Sequence, residues 1–398
     1  MFYLFVYRLY VFLDMLPRSV VLVSAARTPI GSFLGSLSSI PATDLGSHAI
    51  RSALNVSGMS AGDIQLGVGG QVLSSGCGQA PFRQAMLGAN ILADTYGVNK
   101  VCSSGMKAIS LCASSIAIGE VETGVAFGME SMSNVPHIYR GSRLGARLGP
   151  ITLDDSVITD GLWDVYNKIH MGTCAEKTCL EHKVSRSDQD EYAIESYKRA
   201  NEAWSSGRMS VEVYPIGDAN IDEEIGKLRI EKLATLRPAF LRENGTITAA
   251  NASKLNDGAS AIIMCSEEYS REFGLKPIAR IISFADFAHD PIDFSTAPRG
   301  AIEIALKRAN LTVKDIDYWE FNEAFSVVPI VNANLLGIDL SRVNVDGGAV
   351  ALGHPIGASG NRIVATLARI LQQRDASIGC AAICNGGGGS TSIIIERM

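Results

Sequence analysis

Val101-Cys102-Ser103-Ser104-Gly105-Met106-Lys107 places a cysteine at the start of an apolar helix, and Ser359-Gly360 opens a second apolar helix in the other half of the chain. The surroundings of the two openings also correspond. Ser60-Ala61-Gly62-Asp63-Ile64-Gln65 leads towards a glycine-containing strand end, and Thr312-Val313-Lys314-Asp315-Ile316-Asp317 leads towards Asn322. Val20 to Ser24 reads as a buried strand of β-branched residues, with Ala279 to Phe284 as its counterpart. Strands alternate with helices in both halves, which predicts two α/β lobes related by internal duplication. Between them, roughly from Asn134 to Gly245, the chain becomes more charged and carries longer helical stretches such as Ser187 to Ser205. This region reads as an inserted lobe.

Composition fits a large enzyme. The chain has 398 residues, enough for a sizeable core, and 47% hydrophobic residues with 39 glycines suit an α/β protein with close backbone contacts. A formal charge of −6 without long runs of like charge argues against nucleic acid, so an anionic ligand must be held by local lysines, arginines and helix N-termini. Eight cysteines, Cys77, Cys102, Cys112, Cys174, Cys179, Cys265, Cys380 and Cys384, are scattered without CxxC pairs. That pattern predicts free thiols in a reducing compartment and no structural metal. Met1 to Val20 is apolar and aromatic but interrupted by Arg8, Asp14, Pro17 and Arg18, so it offers no stretch long enough to span a bilayer. Two arginines against one acid favour a mitochondrial targeting segment over residues 1–19; a start at Met15 would instead leave a cytoplasmic protein. Glu396-Arg397-Met398 is not a peroxisomal address of the Ser-Lys-Leu type.

Three segments carry the chemistry. A helix N-terminus favours the thiolate of Cys102, although a lone cysteine there is more often a small buried hydrophobe. His354, in Gly353-His354-Pro355-Ile356-Gly357, can take the thiol proton, or can be a histidine satisfied by its glycine turn. Cys384, in Cys384-Asn385-Gly386-Gly387-Gly388-Gly389, adds a second soft acid/base beside exposed N–H groups able to hold an oxyanion. The glycine run also allows a flexible loop or a phosphate cradle, but a cradle would run into a helix with a lysine, and here the apolar strand Ser392 to Ile395 follows. The combination points to acyl transfer through a thioester, with carbon–carbon bond chemistry alongside.

From about Val20 to the C-terminus the chain resembles the thiolase family. The resemblance rests on the three segments above and on Ser24-Ala25-Ala26-Arg27-Thr28-Pro29-Ile30-Gly31, Gly128-Met129-Glu130-Ser131-Met132-Ser133, His170-Met171-Gly172, Asn244-Gly245-Thr246-Ile247-Thr248-Ala249-Ala250-Asn251-Ala252-Ser253 and Asn322-Glu323-Ala324-Phe325. Asp160-Gly161-Leu162, Asp164 to His170 and Trp319-Glu320 look like the mitochondrial acetoacetyl-CoA branch. It implies duplicated βαβαβαββ domains in layers, at residues 20–133 (completed by 246–275) and 276–398, with a loop domain at 134–245. It implies reversible condensation of two acetyl-CoA to acetoacetyl-CoA and coenzyme A, by a homotetramer or dimer.

Carried over residue by residue, the resemblance makes Cys102 the nucleophile, His354 its base, Cys384 the base at carbon and Asn322 the residue that positions a water in one oxyanion site. Asn322-Glu323 before an apolar run also reads as a helix cap. The N–H groups of Cys102 and Gly386 would form the second oxyanion site. Ser253 and His170 would meet pantetheine, Lys227, Leu228, Arg229 and Lys232 the nucleotide end, and Met171 and Phe325 the acyl group; the Lys227–Lys232 run is equally an ordinary solvated basic face. Tyr197, Ala249, Ala250, Ala252 and Val350 match positions that hold a potassium ion, mostly through backbone carbonyls.

Three departures stand out. Ala93 to Val98 is a shorter lead into Cys102 and is expected to disturb its aim. Phe127 replaces a glycine and is expected to crowd the core. Ser295 follows Phe294 where the mitochondrial branch has proline, so that loop is expected to be less fixed and unbranched substrate to be favoured. The rivals are a decarboxylating ketoacyl-synthase type of enzyme, which has no Cα proton for Cys384 to take, and a silent paralogue that binds acyl-CoA.

Overall fold

The computed structural model describes residues 17–398. The targeting reading of residues 1–16 therefore lies outside the described residues. The first half contributes β1 (Val20–Arg27), α1 (Ala42–Ser57), β2 (Leu66–Gly70), α2 (Pro81–Gly88), β3 (Asp94–Val98), α3 (Ser104–Ala117) and β4 (Thr123–Ser131). Helices α4 (Met171–Glu181) and α5 (Arg186–Ser205) follow, then β5 (Asn256–Ser266). The second half contributes β6 (Ala279–Ala288), α6 (Ala297–Ala309), β7 (Tyr318–Phe321), α7 (Val327–Leu336), α8 (Ile356–Gln373), β8 (Ile378–Asn385) and β9 (Gly389–Arg397).

The strands lie in the order β7-β8-β9-β6-β1-β5-β4-β2-β3, with the short strand Gly31–Ser32 paired to β5. Reading outward from the β1/β6 seam shows the duplication. β1 is antiparallel to β5, β5 antiparallel to β4, and β4 parallel to β2; likewise β6 is antiparallel to β9, β9 to β8, and β8 is parallel to β7. Even the irregularities repeat. The β1/β5 register shifts between Leu22 and Ser24, and the β6/β9 register between Ile281 and Ser283. The Ser24 hydroxyl donates to the Ala53 carbonyl of α1 at 2.7 Å, and the Ser283 hydroxyl to the Ala305 carbonyl of α6 at 2.8 Å. A bulge that turns one serine onto an outer helix is thus used twice.

One face of each half packs against α3 and α8, which form a shared middle layer with Met106, Ile109, Ile363 and Leu367 at 0% exposure. Helices α1 and α2 cover the outer face of one half, and α6 and α7 that of the other. The middle helices touch backbone to backbone at glycines. A Cβ on Gly105 would lie 2.8 Å from the Asn361 nitrogen, and one on Gly360 2.5 Å from the Met106 nitrogen. Gly360→Ala is therefore expected to cost about 1–3 kcal/mol through overpacking. The check is a lower urea midpoint with unchanged slope; an unchanged midpoint would mean that the helix pair has slack.

The segment between β4 and β5 adds no strand to this sheet, only two-stranded ribbons and the helices α4 and α5. It is anchored by buried charge. Arg27 of β1 donates to Glu212 and Asp222, both at 2.7 Å, and Glu212 also takes Arg369 of α8 at 2.8 Å. Cutting one partner would strand a buried charge. Phe127 does not crowd the core as expected. It points to the outer α1/α2 side, where a Cβ on Gly69 would come within 2.7 Å of its ring and Phe82 packs 6.3 Å away.

Candidate active site

Cys102 sits in the turn between β3 and α3. Val101 just before it is held at φ 48°, a strained conformation for a β-branched residue and the kind of kink that lifts a side chain off the chain path. Cross-links to the other half fix this turn. Lys100 Nζ donates to the Ser390 carbonyl at 3.0 Å and to Thr391 at 2.8 Å, and Ser103 Oγ donates to Asn385 Oδ1 at 2.8 Å. The short lead Ala93 to Val98 forms β3 in regular register with β2, so the aim of Cys102 is retained.

The Cys102 sulfur meets its own N–H and that of Gly386, the pair expected to stabilise an oxyanion. These N–H groups favour the thiolate as expected, but they do not decide its state. Burial dominates over these donors and pushes the thiol up to about 12, although the residue keeps some exposed surface. Cys384, at the end of β8, is buried; burial, and then the charge of neighbouring Cys102, raise its thiol well above the usual range. The two thiols lie within charge range of each other, and both are protonated at rest.

His354 precedes α8 as Cys102 precedes α3. Burial, aided by Arg362, holds its imidazole down to about 3, so it is neutral. Its tautomer follows from its partners. Ser359 Oγ donates to the Pro355 carbonyl at 3.0 Å and so accepts from His354 Nδ1 at 2.7 Å, leaving Nε2 as an acceptor. Asn322 Nδ2 approaches that Nε2 at 3.3 Å, while Asn322 Oδ1 is buried with no partner. Cys102 and His354 share no direct hydrogen bond; Ile356, two residues past His354, packs against Cys102.

A cleft of about 610 Å³ runs from His354 past Ile356, Leu255, Ser253, Ala252, Ala249, Phe325 and His170 to Lys227. Aromatic rings run along it, the first pair stacked and the next two edge-on. His170 lies 4.8 Å from Phe240, Phe240 5.8 Å from Phe325, and Phe325 6.4 Å from Phe294. Met171 joins Phe294, Phe325 and Cys384 in one apolar cluster. Ser295 is not in a loosened loop as expected: it is buried and its carbonyl accepts Asn332 Nδ2 at 2.8 Å, which braces Phe294. A smaller cleft of about 220 Å³ next to the first is lined by Lys227, Leu228, Arg229, Lys232, Tyr197, Ala249 and Ala250.

The potassium expectation fails on a residue that sequence reading passed over. Lys254 Nζ donates to the Ala252 and Val350 carbonyls, both at 2.9 Å, and lies 5.3 Å from the Tyr197 ring centre. Three of the five expected ligands thus already face an ammonium, and a second cation there would meet like charge at short range. The residues do not fit a bound potassium ion.

Family models decide the relationship. Residues 20–268 match "Thiolase, N-terminal domain" and residues 275–397 match "Thiolase, C-terminal domain". The chain belongs to the thiolase family. This thiolase is 50% identical over 392 residues to "Acetyl-CoA acetyltransferase, mitochondrial" of Rattus norvegicus, covering 96% of this chain and 92% of that protein. It is 48% identical over 393 residues to the Homo sapiens protein of that name, covering 96% and 91%. Among solved structures it is similar to the Acat5 thiolase from Ascaris suum in complex with coenzyme A, with TM-score 0.92, 44% identity and coverage of 96% of this chain and 100% of that one.

Other residues of the site were missing from the sequence reading. Asn256 Oδ1 accepts the His354 N–H at 2.8 Å, and Ser359 sets its tautomer. Glu130 is buried and pushed up to about 7 by burial, while accepting from Val72, Leu73 and Gly357 N–H groups. Glu323 accepts from Tyr192, Ser196, Asn344 and Val350. Phe240 fills the space that Gly172 leaves open. Only Glu130, Glu323 and Ser359 lay inside quoted motifs; none carried a signal of its role.

Proposed function

We propose that this thiolase is an acetyl-CoA C-acetyltransferase that works by a ping-pong route through S-acetyl-Cys102. The observation that carries the reading is that the Cys102 sulfur meets the Gly386 N–H and lies within charge range of a second buried cysteine, Cys384. His354 Nε2 takes the Cys102 proton, the sulfur attacks the acetyl carbonyl, and the departing coenzyme A sulfur receives that proton. The Cys102 and Gly386 N–H groups hold the oxyanion. In the second half-reaction Cys384 gives its thiol proton to His354 Nε2, which returns it when product leaves, and the thiolate takes a proton from the Cα of a second acetyl-CoA. His354 and Asn322 face its thioester oxygen. The new carbon–carbon bond forms as the bond to Cys102 breaks, and the proton passes from Cys384 to the Cys102 sulfur. Once acetylated, Cys102 can carry no charge to oppose ionisation of Cys384, which fits the order of steps.

Coenzyme A is substrate and product here. Ser253 and His170 are assigned to pantetheine, Lys227, Leu228, Arg229 and Lys232 to the nucleotide, and Met171 and Phe325 to the acyl group. The reading takes the mitochondrial compartment of the relatives for this chain, the division at residues 134 and 246 for its loop domain, and a homo-oligomer for its assembly. The open edge at β3, where Tyr96 is 41% exposed, suits such a contact. The test is thiolysis of acetoacetyl-CoA by the purified chain. Two acetyl-CoA per acetoacetyl-CoA over many turnovers are expected; tight acyl-CoA binding without turnover would favour the silent paralogue.

A further inference from the structure

The Lys254 ammonium reaches backbone carbonyls of two separate segments of the site. Ala252, on one side, belongs to the strand-like segment that pairs with Phe325, and its neighbour Ser253 donates its N–H to the Ala324 carbonyl at 3.0 Å. Val350, on the other, lies in the helical turn Ala349–Leu352 that runs directly into Gly353-His354. The Val350 N–H is held by Glu323 at 2.9 Å, so both ends of this peptide region are fixed, one by an anion and the other by a cation. Burial lowers the ammonium to about 8, opposed by Glu224 and Glu323, which keeps it mostly protonated at neutral pH. Carbonyls converging on one point, an aromatic face and nearby carboxylates make a site for a monovalent cation. Here the cation is covalently part of the chain.

We infer that the Lys254 ammonium is a built-in monovalent cation that ties the Ser253 segment to the His354 turn, so that this thiolase needs no alkali-metal ion at that place. Lys254 is a positioning residue: it contacts neither sulfur and acts through Ala252 and Val350. A tethered ammonium has the charge of an alkali-metal ion, and the tether spares it the cost of capture from solution. Removing it leaves two inward carbonyls short of a donor, and a soluble ion can then do its work.

The test compares wild type, Lys254→Ala and Lys254→Met in potassium, sodium and N-methyl-D-glucamine chloride at constant ionic strength. Coenzyme A affinity, melting temperature and thiolysis kinetics are read on each. Wild type should respond equally to the three salts. In N-methyl-D-glucamine, Lys254→Ala should bind coenzyme A about tenfold more weakly, the size of one charged hydrogen bond lost. Potassium should restore both its affinity and its melting temperature. Lys254→Met, which fills the space without charge, should stay weak in every salt. A potassium-specific gain in wild type would overturn the inference, and so would a Lys254→Ala protein equal to wild type without potassium. If Lys254→Ala does not fold, the wild-type salt series and Lys254→Met still decide. Affinity and melting temperature do not depend on turnover, so this outcome is separable from failure of the proposed reaction.

Discussion

Brief incubation with acetyl-CoA is expected to leave a single acetyl group, found by mass spectrometry on the peptide that carries Cys102. Cys102→Ala should lose it, and thiolysis should fall by about 10⁴-fold or more, because the Cys102 sulfur is the nucleophile that meets the Gly386 N–H. Acetyl found on Cys384 alone would reverse the two roles. The pH dependence sharpens the test. Because burial pushes the Cys102 thiol up to about 12, alkylation by iodoacetamide without substrate should be slow at neutral pH and keep rising beyond the point where an ordinary cysteine levels off. A thiol raised on folding stabilises the native state only below its unfolded pKa. Stability should therefore decline as pH climbs above about 8.5 towards the folded value. Rapid alkylation at pH 7 with a plateau would mean that the helix end and His354 outweigh burial.

Cys384→Ala separates the two half-reactions. It should still acquire the acetyl group on Cys102, because the first step uses His354 and the Cys102 and Gly386 N–H groups but not Cys384. Exchange of the acetyl Cα protons with deuterated water should fall by about 10²–10⁴-fold, the usual cost of removing a positioned general base. The buried Cys384 sulfur lies in an apolar cluster with Met171, Phe294 and Phe325. Exchange at the wild-type rate would remove Cys384 from the mechanism and leave His354 as the base at carbon.

Sequence reading reached the fold because the signals that set it are local and repeated. Ser104-Gly105 and Ser359-Gly360 announce the middle helices, and the matching strands Val20 to Ser24 and Ala279 to Phe284 begin each half. The chain positions of Cys102, His354 and Cys384 were equally legible, since each needs glycine neighbours for close approach. Their electrostatics were not. A thiol's pKa depends on what encloses the sulfur, and that comes from residues distant in sequence, so the helix-end argument named a real contribution at Cys102 but missed the burial that outweighs it. Phe127 and Ser295 were misjudged for the same reason: their space comes from Gly69 on another strand and Asn332 on another helix. Lys254 had no motif at all. Its partners are backbone carbonyls, which look the same in every residue.

The shared middle layer has a consequence for how such an enzyme can arise. Cys102 stands at the start of α3 and His354 at the start of α8, equivalent helices of the two halves, and the glycine contact between them lets neither helix shift alone. Two identical halves brought together as separate molecules would have to offer the same residue at both helix starts. Joined in one chain, they are released from that symmetry: one start can keep the sulfur while the other takes up the imidazole. The price of this division of labour is inheritance as a unit, for a crossover that replaced either half with a copy of the other would restore the symmetry and erase the chemistry.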